Sequence, residues 1–231
     1  MKTILHLVLL AILSFILIRA SAQVKDLNTT SNSDPVLING RFYVFHPPYG
    51  TEGNQFISGR EFIDGSVKLK GLSYTGLKLN YDIYNQQLIL KYSSKSGAAN
   101  QIIVPDGWLE SFTLNQDEFQ LINSANGKKE IYQVIGSENT RVLYSWRKNL
   151  ELSLVHGATN YVFSKPVRTM YLLHKGSLHR YKNNRGFNSY FDADTRARIR
   201  EYMRKNKINT RKSDVSSMSA LLDFINSIDE K

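Results

Sequence analysis

Gly71-Leu72-Ser73-Tyr74-Thr75-Gly76 is the stretch of this 231-residue chain that comes nearest to a nucleophile elbow. That motif, Gly-x-Ser-x-Gly, throws a serine hydroxyl out of a sharp turn between a strand and a helix. Here there is one residue too many, and the segment lies between two expected strands, so it reads as a hairpin turn. His174 and His179 flank Lys175-Gly176-Ser177-Leu178. If those four residues form a hairpin loop, the imidazoles face each other as two ligands of a metal site. Lys175 and Arg180 beside them oppose a cation, and solvated side chains on a turn are the expectation, with no metal and no cofactor. Glu61 with Asp64, Asp106 with Glu110, and Asp117 with Glu118 are the acidic pairs. Glycoside hydrolysis needs two carboxylates set ~5 to 9.5 Å apart across a cleft. Nearness in sequence does not specify that geometry, and Asp64 and Asp106 each precede a turn-forming glycine. There is no phosphate-cradling glycine loop, no His-Glu-x-x-His helix and no calcium loop. With no cysteine anywhere, disulfides, thiolate metal sites and a thiol nucleophile are excluded. Nothing in the sequence therefore argues for an enzyme.

Two groups of residues suggest binding. Thirteen Tyr, eleven Phe and two Trp are enough for a sugar-stacking platform. Most of them, including Tyr43, Tyr81, Tyr92 and Trp146, fall in strand periodicity, where an aromatic is core or a cross-strand partner. Trp108, in Pro105-Asp106-Gly107-Trp108, is the candidate ligand-facing aromatic, against the plainer reading of a plug that closes one end of a sheet. The second group is basic. Between Lys165 and Lys212, fourteen Lys and Arg stand against Asp192, Asp194 and Glu201, a local balance of +11 in a chain whose net charge is +10. Basicity thus belongs to one region. Arg196, Arg198, Arg200, Arg204, Lys205 and Lys207 are the candidate contacts to an anionic surface.

These residues need elements to position them. From Asn39 to Tyr181, short apolar and polar alternations recur about every ten residues, separated by turn residues. Leu77, Leu79, Tyr81 and Ile83 share one face; Leu88, Leu90 and Tyr92 share another, with Asn85-Gln86 as the turn between them. After Gly186 the period becomes helical. Thr195, Ile199, Tyr202 and Met203 form one arc about 100° wide, with Asp192 or Asp194 as N-cap, and the basic residues fill the flanks and back. Met218, Leu221, Leu222, Ile225 and Ile228 mark a second helix starting at Ser213 or Asp214. Strands first and helices last predict an α+β fold, a predominantly antiparallel β body followed by two C-terminal helices.

The start of the chain supplies an address. Residues 4–18 are apolar apart from His6 and Ser14, too short for a comfortable bilayer span of ~20 residues. Ala20-Ser21-Ala22 then offers small residues for a signal peptidase. The expected organisation is a signal peptide at 1–22 cleaved between Ala22 and Gln23, a flexible polar tether at 23–36, the β body at 37–183, and a basic two-helix cap at 184–231. Asp64 to Val67, Gly76 to Tyr84, Ser111 to Leu114, Tyr171 to Tyr181, Ile199 to Tyr202 and Leu221 to Phe224 resemble segments of a group of exported Bacteroidota-type proteins of unknown function. That resemblance implies export and this layout, and carries no site residue.

Export keeps the chain from the nucleic acid of its own cell, so no nucleic-acid partner is expected for the basic region. Lipid headgroups, lipopolysaccharide phosphates and peptidoglycan carboxylates are the anions of the envelope. The sequence thus predicts a non-enzymatic periplasmic, envelope-associated or secreted module. Its alternatives are a glycan-binding or glycan-processing protein and a structural subunit of an envelope assembly joined through a sheet edge. Expression in a Gram-negative host is expected to yield a species whose N-terminal residue is Gln23 in the non-cytosolic fraction. Mass spectrometry checks this, and full-length chain confined to the cytosol opposes it.

Overall fold

The structure is a computed structural model that describes residues 24–26, 34–94, 96–124, 127–136, 139–153 and 160–229. The signal segment, the Ala22–Gln23 junction and residues 27–33 of the polar stretch lie outside the described residues. The fold is α+β, mostly one antiparallel sheet with helices near the C-terminus. Its strands are β1 (Val24–Asp26), β2 (Arg41–Phe42), β3 (Ile63–Leu69), β4 (Leu72–Asp82), β5 (Gln87–Ser93), β6 (Ala99–Ile103), β7 (Leu109–Leu114), β8 (Asp117–Asn123), β9 (Lys129–Ile135), β10 (Arg141–Arg147), β13 (Val167–His174) and β14 (Ser177–Tyr181). A short separate hairpin comprises β11 (Leu150–Leu152) and β12 (Tyr161–Phe163). The helices are α1 (Pro35–Ile38), α2 (Asn184–Asn188), α3 (Ala193–Lys205) and α4 (Val215–Asp229). Within 23–36, Val24–Asp26 pairs in parallel with Ser73–Thr75; α1, which straddles the 36/37 boundary, inserts Leu37 into the core.

The order across the sheet is β14-β13-β10-β9-β8-β7-β3-β4-β5-β6-β2, with β1 beside β4 off this path. Two meanders, β3 to β6 and β7 to β10, thus grow outward in opposite directions from the β3–β7 pair. That central pairing needs Gly65, because a Cβ there would collide with the Thr113 carbonyl. The expected turn at Gly71–Gly76 is shorter than the sequence suggests. Lys70 and Gly71, both at positive φ, make a two-residue hairpin loop. Residues from Leu72 belong to β4, where Gly76 (φ 68°) sits at a bulge opposite β3. Ser73 is therefore a strand residue, and no elbow exists.

A sheet this wide does not bury its residues in one core. The first cluster lies in the β3 to β8 half and contains the alternating Leu77, Leu79, Tyr81, Ile83, Leu88 and Leu90. Phe112 and Phe119, which are cross-strand partners, stack at 4.7 Å, and Tyr81 meets both edge-on at 5.6 Å. The second cluster joins Val142, Tyr144, Met170, Leu172 and Tyr181 of the sheet to Ile199, Met203, Met218, Leu221, Leu222 and Ile225 of the helices. Trp146 packs against both clusters, and its indole N–H donates to Gln133 at 2.7 Å.

Buried polar side chains tie irregular segments to this frame. Asp82, fully buried, accepts from the Tyr43 hydroxyl (2.7 Å), the Tyr84 and Asn85 amides and the Asn85 side chain. Lys148 Nζ donates to the Asn54 and Phe56 carbonyls, and burial lowers its pKa. Together they hold the long segment between β2 and β3 on the sheet. At the other end, Thr140 is a hub. Its amide donates to Asn226 Oδ1 (3.2 Å), its carbonyl accepts from Asn226 Nδ2 (3.4 Å), and its hydroxyl meets His174 Nδ1 at 2.8 Å. This clamp fixes α4 to the sheet. Asn226→Ala is expected to cost about 1–3 kcal/mol by leaving the Thr140 amide unpaired in the interior. Ser227→Ala, one residue away and exposed, should change stability by no more than about 0.5 kcal/mol. Urea unfolding of both variants checks the contrast.

Candidate anion-binding surface

The C-terminal cap is built around α3. Asp192 caps it, accepting from the Asp194 and Thr195 amides at 3.1 and 3.0 Å. The bonds from Thr195 hold the Asp192 carboxyl below the usual range. Ile199 and Met203 are buried, Thr195 and Tyr202 are half-buried, and Tyr202 stacks on Phe224 of α4 at 4.3 Å. Once that stripe is committed to the core, Arg198, Arg200, Arg204 and Lys205 must point to solvent, and all four are exposed.

Arg196 departs from the expected group. It is half-buried, donating from Nε to the Asn188 carbonyl at 3.0 Å and from Nη2 to the Phe191 carbonyl at 2.6 Å. It therefore fastens α3 to the preceding turn, which helical periodicity could not reveal because the acceptors lie outside the helix.

The end of α3 is a Schellman motif. Ile208 N–H donates to the Met203 carbonyl at 2.9 Å and Lys207 N–H to Arg204 at 3.3 Å, with Met203 and Ile208 both buried beneath. Position C′ of this motif favours glycine, yet it is Lys207 at φ 54°. Asn184 then staples the following link to α2. Its Oδ1 accepts from the Thr210 amide and hydroxyl at 2.9 and 3.0 Å, and its Nδ2 donates to the Ile208 carbonyl. Between α2 and the C-terminal half of α3 lies a hollow of about 530 Å³, bordered by Arg185, Arg200, Arg204 and Lys207. Asn188 also lines it, and its buried Oδ1 has no hydrogen-bond partner among the described residues. Ion pairs do occur on the sheet, such as Lys68–Glu110 and Lys78–Asp64. Among the described residues, none of these four cations has a carboxylate partner.

The remaining candidates from the sequence resolve differently. Trp108 is half-buried, packs on the first core, and has Lys70 Nζ 3.6 Å over its ring. It sits in the short link between β6 and β7. The four-residue loop expected at Lys175–Leu178 is instead the two residues Lys175-Gly176, both at positive φ. That register sets His174 opposite Ser177 and His179 opposite Leu172, so the imidazoles do not face each other. His174 packs on Phe191 and bonds Thr140, whereas His179 stacks on Tyr190 at 4.3 Å. Among the described residues, no three His, Asp or Glu side chains converge on a metal position. The acidic pairs are divided among other partners: Asp64 with Lys78, Glu110 with Lys68 and the Gly71 amide, Asp117 with Gln133, and Glu118 with Gln120. Among the described residues no helix is long and apolar enough to cross a membrane.

Compared with known proteins, the chain matches no family model, no curated protein and no solved structure. The arguments about this surface therefore rest on its own geometry.

Lys207 separates stability from binding. Lys207→Gly relieves a left-handed backbone, a strain of about 1–2 kcal/mol, at an entropic cost of roughly 0.5–1 kcal/mol. The expected result is a chain as stable as the parent or up to about 1 kcal/mol more stable by urea unfolding, with weakened retention on anionic vesicles at low salt.

Proposed function

We propose that the protein is a non-enzymatic module of the cell envelope or its exterior, held by its C-terminal basic patch against an anionic envelope component. The observation that carries this reading is the solvent-facing set Arg198, Arg200, Arg204, Lys205 and Lys207, exposed and without carboxylate partners among the described residues. A purely structural surface helix commonly intersperses both signs, whereas α3 beyond its first turn has only Glu201 against these cations. The export signal supports an envelope partner over nucleic acid, as does the resemblance to exported Bacteroidota-type proteins. Lipid headgroups, lipopolysaccharide phosphates and peptidoglycan carboxylates all present the required charge. Attachment is superficial, because the apolar stripe of α3 is consumed by the core and leaves nothing to insert.

A second reading, a subunit joined through a sheet edge, draws on one specific feature. β2 is one of the two outer strands in the sheet order, and Phe42 in it and Val44 just past it stand 66% and 69% exposed.

Each basic residue held near an anionic membrane contributes about 1 kcal/mol at low salt. Cosedimentation with phosphatidylglycerol vesicles is expected at low ionic strength and should be lost at a few hundred millimolar salt, where screening shortens to a few ångströms. The Arg200→Glu/Arg204→Glu double variant should bind at least ~10-fold more weakly. Retention that ignores both salt and this charge reversal refutes the electrostatic reading.

A further inference from the structure

A second hollow, of about 470 Å³, lies between the β13–β14 hairpin and the link from α3 to α4. Arg168, Arg180, Lys182 and Arg211 border it, with no acidic residue in the lining. Arg168 differs from the other three. It is half-buried, its guanidinium carbon lies 4.3 Å from the centre of the Tyr144 ring and 5.9 Å from that of Trp146, and Nη2 donates to the carbonyls of Arg211 (2.8 Å) and Ser213 (3.2 Å). The side chain is thus held by a ring face and two backbone oxygens, which fix its direction without cancelling its charge. No carboxylate among the described residues pairs with it. A partly desolvated guanidinium without a counter-ion, surrounded by three more cations, is costly unless an anion completes it.

The ring that carries Arg168 belongs to an apolar layer of the sheet. Tyr144, Met170 and Tyr181 line up across β10, β13 and β14, each register pair being direct. Both tyrosine hydroxyls are buried and make no hydrogen bond among the described residues. Burial raises the pKa of both, so each stays protonated. Tyr181 borders the hollow.

We propose that this hollow binds a phosphate group, with Arg168 as the fixed donor and Arg180, Lys182 and Arg211 completing its charge. A single carboxylate would leave most of the four positive charges unmatched. A phosphate monoester brings up to two negative charges and several acceptor oxygens, which suits the planar fork of an arginine. The phosphate can come free in solution or on a phosphatidic acid headgroup. The site does not use the exposed α3 residues of the proposed envelope contact, so each can fail without the other.

Isothermal titration of the purified protein with glycerol 3-phosphate at low ionic strength, beside cosedimentation with phosphatidylcholine vesicles with and without phosphatidic acid, tests it. Saturable binding of glycerol 3-phosphate is expected, weakened about 10- to 100-fold in Arg168→Gln, since a charge-assisted hydrogen bond is lost. Because Arg168 also ties down the α3–α4 link, Arg180→Glu/Lys182→Glu serves as the second variant. Both of its residues are exposed, so it should match the parent in thermal unfolding and still lose at least ~10-fold in affinity. Arg200→Glu/Arg204→Glu should leave the titration unchanged while weakening retention on phosphatidylglycerol vesicles at least ~10-fold. A headgroup source predicts tighter retention on phosphatidic acid vesicles than the soluble ester explains; a free source predicts retention no better than on phosphatidylglycerol. Absence of saturable binding of glycerol 3-phosphate, or binding that survives the Arg180/Lys182 reversal, overturns the proposal.

Discussion

The seating of α3 and α4 on the face formed by β10, β13 and β14 is the contact on which the C-terminal half of this protein depends. There is no cysteine to cross-link the chain, so burial must hold it. Ile199, Met218, Leu221, Leu222 and Ile225 are all fully withdrawn from water, and each such side chain contributes about 1.5–3 kcal/mol. Helix and sheet supply complementary halves of one cluster. Neither face is stable in water alone, and the order of the basic side chains follows from their union. Where the stripe turns inward, the arginines have no choice but to face out.

That union also divides the basic residues by role. Arg196 and Arg168 are spent on backbone carbonyls, the first to secure the start of α3 and the second to secure the link after it. Neither gives up its charge in doing so. Among the described residues Arg198, Arg200, Arg204, Lys205 and Lys207 make no such bonds, and all five stay exposed. Charge that is fixed and partly desolvated recognises a discrete group, whereas charge that is mobile and hydrated gives diffuse, salt-sensitive attraction. The hollow beside α3 and the one beside Arg168 thus present positive charge in two states, hydrated in the first and, at Arg168, partly desolvated in the second.

The sheet itself is organised around a central pair. β3 and β7 meet where Gly65 allows their backbones to approach, and the meanders extend from them in both directions until each half has its own core. Polar nodes then fix what periodic structure cannot. Asp82 and Lys148 restrain the segment between β2 and β3, Asn184 the link after α3, and the Thr140–Asn226–His174 clamp the last helix. Each satisfies several backbone groups at once, which is what an irregular buried segment requires.

Much of this was legible in the residues. Period-two alternation at Leu77, Leu79, Tyr81 and Ile83 and period-3.6 spacing at Met218, Leu221, Leu222 and Ile225 are local consequences of backbone geometry, so strands, helices and their buried faces can be read directly, while the choice of Asp192 over Asp194 as the cap comes from the structure. A four-residue loop at Lys175–Leu178 would pair His174 with His179, whereas the two-residue Lys175-Gly176 loop separates them, because in a hairpin the turn length fixes every cross-strand pair. The role of Asp82, the withdrawal of Arg196 and the meeting of Arg168 with Arg180, Lys182 and Arg211 left no local trace. Their partners lie on other elements, Arg168 bonding a carbonyl 43 residues away. Local periodicity decides which side of an element faces the core; only packing of distant elements decides which polar groups meet, since those distances do not exist until the sheet and helices close on one another.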